Sequence, residues 1–88
     1  MVRIPVRVIP RRPGRARAHE LTVVEFATKE FAIFRCQLAL EFDDRVEVVR
    51  EGGGRPAEAA VIALQYQGGS KAVAVRFLNG PCEWMNNS

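Results

Sequence analysis

Apolar residues in this chain recur at every second position, and that period commits it to strands. Val2, Ile4, Val6 and Val8 alternate with Arg3, Pro5 and Arg7, the pattern of a strand with one face in a core. Residues 20–27 and 31–36 read as two further strands, joined by Thr28-Lys29-Glu30. Asp43-Asp44 marks a turn, and Arg45 to Arg50 follows as a strand with Val46 and Val48 on one face and Glu47 on the other. Gly52-Gly53-Gly54 is a hairpin tip, because glycine alone turns freely through positive φ. Residues 57–67 form a long strand, which Gln67-Gly68-Gly69-Ser70 returns into a last one. There Val73, Val75 and Phe77 alternate with Ala72, Ala74 and Arg76. Alanines give residues 57–65 some helical propensity, but glycine-rich turns flank the segment at hairpin spacing.

Six short strands in 88 residues predict one domain over 1–88, all-β, closed as a six-stranded antiparallel β-barrel. Closure removes exposed sheet edges. Little or no helix is expected beyond a short C-terminal turn at residues 82–85. Pro5 lacks a donor, which predicts an edge position there. Pro10-Arg11-Arg12-Pro13-Gly14 reads as a turn or exposed loop. Val6, Val8, Val46, Val48, Val61, Val73, Val75 and Phe77 are the expected core. Most of the aromatics Phe26, Phe31, Phe34, Phe42, Tyr66 and Phe77 fall at strand positions and are expected inside, with Trp84 plugging one mouth.

A hydrophobic content of 48% is ample for a folded core. No apolar run approaches the roughly 18 residues a membrane span needs. Arginines interrupt any apolar stretch at the amino end, so no signal peptide is read there. Cys36 and Cys82 form no CxxC pair and are too few for a disulfide scaffold, which suits a reduced, cytoplasmic setting.

Charge is distributed unevenly. Eleven of the 13 basic residues are arginines, and six of them, Arg3, Arg7, Arg11, Arg12, Arg15 and Arg17, lie in the first 17 positions. Residues 1–19 carry +6, while seven basic against ten acidic residues leave 20–88 at −3. A basic arm on a mildly acidic body suggests an anionic partner, since the guanidinium fork fits phosphate and carboxylate oxygens. The alternative is a solvated strand and turn. The arm residues Arg11, Arg12, Arg15 and Arg17 are the candidate partner-binding set.

No catalytic constellation is present, and an enzyme is not expected. His19 is the sole histidine, with no serine or cysteine motif beside it, and reads as a surface residue. One histidine and two distant cysteines make no metal site. The triple glycine has no following Lys-Ser/Thr and is not a phosphate loop.

Three stretches carry a family pattern. They are Leu40-Glu41-Phe42-Asp43-Asp44-Arg45-Val46-Glu47-Val48, then Ala57-Glu58-Ala59-Ala60-Val61-Ile62-Ala63-Leu64, then Lys71-Ala72-Val73-Ala74-Val75-Arg76-Phe77-Leu78, closed by Trp84. Together they resemble PilZ domains, in which a turn feeds a strand, a long strand follows, and a "VGV-x-F" strand precedes an aromatic. The resemblance implies a six-stranded barrel and a bacterial signalling role. In that family an RxxxR arm and a D/N-x-S-x-x-G strand bind cyclic di-GMP.

Matched strand by strand, the second motif falls on residues 25–30. Glu25 stands for the Asp, Ala27 for the Ser and Glu30 for the Gly. Arg3 corresponds to the second arginine of RxxxR, and its partner would precede Met1. Arg3/Arg7, Arg7/Arg11 and Arg11/Arg15 also satisfy RxxxR literally. The candidate ligand residues are therefore Arg3, Arg7, Arg11, Arg15 and Glu25, in a degenerate site. The resemblance implies an adaptor acting through protein contacts, with weak or absent cyclic di-GMP binding and no other cofactor; the arginine arm points to an acidic surface on the protein partner. Two alternatives stay open: a cyclic di-GMP receptor using non-standard arginines, and a nucleic-acid-binding small barrel using the arginine arm.

Overall fold

A computed structural model describes residues 2–11 and 18–82. Six strands account for most of them: β1 (Ile4–Pro10), β2 (Glu20–Ala27), β3 (Phe31–Arg35), β4 (Arg45–Arg50), β5 (Ala57–Gln67) and β6 (Ser70–Phe77). They close into a barrel in the order β1-β2-β3-β6-β5-β4, with every neighbouring pair antiparallel. The described residues contain no helix, and residues 57–67 are one strand, as the flanking glycines require. The expected C-terminal turn and the placement of Trp84 lie outside the described residues.

The core is built from β-branched side chains, which pack well on a pleated surface. Val6, Val8, Val24, Val46, Val48, Val61, Val73 and Val75 are fully buried, with Phe34 the largest side chain among them. All eight residues expected in the core are buried. Each buried valine contributes on the order of 1.5 kcal/mol relative to an exposed one.

Turn chemistry explains the connections. The β5–β6 hairpin pairs Gln67 with Ser70, leaving Gly68 and Gly69 at φ 51° and 83°, the two positive angles that a tight two-residue turn demands. At the β2–β3 turn, the Thr28 hydroxyl accepts from the amides of Glu30 and Phe31 at 3.1 and 3.0 Å. At the Asp43-Asp44 turn, Asp43 takes a left-handed φ of 70°, and the Asp44 carboxylate accepts from the Glu41 amide at 3.0 Å.

The edge expected at Pro5 is corrected by closure. β1 has neighbours on both sides. The β1–β4 ladder starts at Val6↔Arg50, one residue past Pro5, whose carbonyl accepts from the Glu51 amide at 3.0 Å. Proline therefore sits where the β4 ladder ends, and its missing donor interrupts no pairing on that side.

Neither cysteine is in a disulfide, and both are buried. Cys36 donates to a Glu20 carboxylate oxygen at 3.6 Å, and the Gln37 amide donates to the same oxygen at 2.8 Å. Burial pushes the Cys36 thiol from its ordinary 9.0 up to about 11; the Glu20 charge adds to the rise, while a main-chain hydrogen bond from Leu38 and the Lys71 charge oppose it. The unfolded chain therefore releases the Cys36 proton first. Between about pH 9 and 11 the folded state holds more protons, and stability falls as pH rises. A thiol-reactive chromophore at pH 8 is expected to leave both cysteines unmodified in the folded chain and to label both in guanidinium. Labelling of the folded chain within seconds would show the thiols to be accessible.

Candidate functional site

Among the described residues the candidate ligand set does not converge. Arg7 is exposed on the outer side of β1 and Arg3 is exposed just ahead of the strand, with exposed Pro5 between them. In extended chain, residues four apart share a face but have backbones about 13 Å from each other, so the two side chains do not start out as neighbours. Arg11 is occupied within the fold. Its Nη1 donates to Glu58 Oε2 at 2.6 Å and lies 3.9 Å from Glu47 Oε2. The β4–β5 register sets Glu47 directly opposite Glu58, so Arg11 neutralises a like-charge pair that would weaken that ladder. Glu25 is tied to Arg35, with Nε 3.5 Å from Oε2. Ala27 packs against the core and Glu30 is exposed in the β2–β3 turn. Arg12, Arg15 and Arg17 lie outside the described residues. His19 is exposed, as expected of a surface residue.

The aromatics overturn a sequence expectation. Of those expected inside, only Phe34 and Phe77 are buried; Phe26, Phe31, Phe42 and Tyr66 are exposed, at 55%, 38%, 71% and 73%. The decisive case is Phe26. Strict alternation from buried Val24 would turn it inward, but a β-bulge shifts the register between Val24 and Phe26. The extra residue rotates Phe26 to the outside, where it pairs with Ile33. A second bulge, between Val61 and Ala63, turns Ala63 outward opposite Ala74.

The two bulges flank one outer face. One row across it runs Phe26–Ile33–Ala74–Ala63, and the next runs Phe31–Arg76–Ala60–Arg45. Strands stand about 4.8 Å apart, so each row spans roughly 14 Å. The sequence signal that could have found this face is the small-residue series Ala60, Ala63, Ala72 and Ala74, which gives low relief beside two phenylalanines.

A separate cleft of about 510 Å³ opens where β5 begins, lined by Arg55, Pro56, Phe77, Asn79, Pro81 and Cys82 among others. Its one carboxylate, Glu58, is already used on both oxygens, by Arg11 at 2.6 Å and by the Asn79 amide at 2.8 Å. No family model, curated protein or solved structure matches this chain. Among the described residues no helix is long and apolar enough to cross a membrane, and no group of three His, Cys, Asp or Glu could hold a metal.

Proposed function

We propose that this chain is a PilZ-type barrel serving as a bacterial, cytoplasmic signalling or adaptor module. It works through protein contacts and binds cyclic di-GMP weakly or not at all. The observation that carries this reading is the outer face on which a bulge exposes Phe26 beside Ile33 and on which Phe31 stands beside Arg76. Large apolar side chains clustered on a surface favour macromolecular contact. The closed six-stranded barrel is the architecture that the family resemblance implies.

The ligand site gives the negative half of the reading. Arg11 is engaged by Glu58, Glu25 by Arg35, and Arg3 and Arg7 are spread along extended chain. Glu30 adds a negative charge beside a doubly anionic ligand. One forfeited arginine–guanine fork removes about 1–3 kcal/mol, and each 1.4 kcal/mol is about tenfold in affinity. Calorimetric titration with cyclic di-GMP is expected to give a dissociation constant no tighter than roughly 100 µM. Sub-micromolar binding would overturn this reading in favour of a receptor that uses its arginines in a non-standard way.

A second reading, single-stranded nucleic acid, is favoured by Phe26 and Phe31 lying exposed near Arg76. Aromatics interleaved with arginine are the chemistry of base stacking. Glu25 and Glu30 on the same side weigh against it, because both would repel phosphates.

A further inference from the structure

Resting on the adaptor reading, we propose that the outer face of β2, β3, β6 and β5 is the docking surface, and that its occupant is an acidic protein segment carrying apolar side chains. Three observations converge on it. The first is construction: bulges on β2 and β5, on opposite flanks of the face, turn Phe26 and Ala63 outward. Without the first of them Phe26 would follow Val24 into the core. Bulges often re-aim side chains at working surfaces.

The second is chemistry. The face presents Phe26, Phe31 and Ile33 over low-relief alanines, so a partner's apolar side chains can settle against Ala74 and Ala63 beside the phenylalanine ridge. Ala60, between Arg45 and Arg76, is only 5% exposed, so in that row the face presents the two arginine side chains. The third is charge. Lys29, Arg35, Arg45, Arg76 and Arg11 border the face, against Glu25, Glu30, Glu47 and Glu58, leaving it at +1 (five minus four), with Arg11 taken up by Glu47 and Glu58. Glu25 is already held by Arg35, and among the described residues neither Arg45 nor Arg76 is in an ion pair. The charges still free to act are thus mainly positive.

The barrel also limits how a partner can attach. β3 and β6 are paired on both sides through the middle of this face, so there recognition goes through side chains. A second copy of the chain is disfavoured, since two such faces would oppose arginine to arginine.

The test uses the full chain labelled with ¹⁵N and four short synthetic peptides: acidic with leucines and phenylalanine, neutral with the same apolar residues, acidic without them, and basic with them. A single-stranded oligonucleotide is the fifth probe. The acidic apolar peptide is expected to shift the amides of Phe26, Ile33, Ala74 and Ala63, and to bind more tightly than the other three peptides and the oligonucleotide. Its affinity should fall about tenfold or more in Phe26→Asp and in Arg76→Glu, while Tyr66→Ser, off the face, leaves it unchanged. The proposal is overturned if the shifts map elsewhere, if the oligonucleotide binds best, or if the same amides respond to protein concentration alone. It is equally overturned if no peptide binds up to about 1 mM. These failures differ from failure of the adaptor reading itself, which would appear as tight cyclic di-GMP binding in the separate titration.

Discussion

Replacing Val48 with Asp is expected to abolish the fold, while the same replacement one residue along, Val49→Asp, is expected to leave it intact. Val48 is fully buried between Val8 on β1 and Ala57 on β5. An unpaired carboxylate there costs several kcal/mol even after its pKa rises to neutralise it. A domain of this size has about 5–15 kcal/mol to lose, and small barrels lie toward the lower end. Val49 points the other way, opposite Arg7 on the outer side, so an Asp there meets water and a cation. Its cost should stay near 1 kcal/mol, the scale of strand propensity. Circular dichroism melts of the two variants decide the matter. A folded Val48→Asp protein would mean that the period-two inside-outside assignment of β4 is inverted.

The second large effect is at Phe34, the largest fully buried side chain. Phe34→Ala removes a ring enclosed by the barrel valines and leaves a cavity that strands held on both sides cannot collapse into. A loss of about 3–5 kcal/mol is expected, lowering the melting temperature by more than roughly 12 °C. Phe42→Ala, at 71% exposure, should cost less than about 0.5 kcal/mol. Denaturant titrations of both variants measure the contrast. Equal losses would mean that burial is not what separates these two phenylalanines.

Much of the barrel is legible in the residues themselves. β2, β4 and β5 begin and end where alternation and glycine place them. The other ends move by a few residues: β1 starts at Ile4, β3 stops at Arg35, and β6 begins at Ser70 instead of after the turn's return. What alternation cannot reveal is a break in its own phase. Glu25 carries no mark of a bulge, yet one extra residue there converts Phe26 from core to surface. Arg11 fails for a different reason. Its engagement depends on Glu47 and Glu58 lying opposite each other, and that needs the β4–β5 register as well as the arrival of β1 beside β4. The candidate ligand arginines share this difficulty. A four-residue spacing reads identically in a helix, where the two side chains are neighbours, and in a strand, where they stand far apart.

The strand order also has a kinetic side. The longest ladder, from Ala59↔Phe77 to Gln67↔Ser70, joins strands separated by two glycines, so it can zip from its turn within microseconds. The seam between β1 and β4 is the opposite case: Val8 must find Val48 across forty residues of chain before either is rewarded. Refolding should therefore wait on that seam and occupy milliseconds to seconds, as non-local pairing requires. Substitutions along the seam should then act chiefly by hastening unfolding, whereas those in the β5–β6 hairpin should slow the return. The barrel's last-formed joint would set how long a folded molecule survives, and its first-formed hairpin how quickly a new one appears.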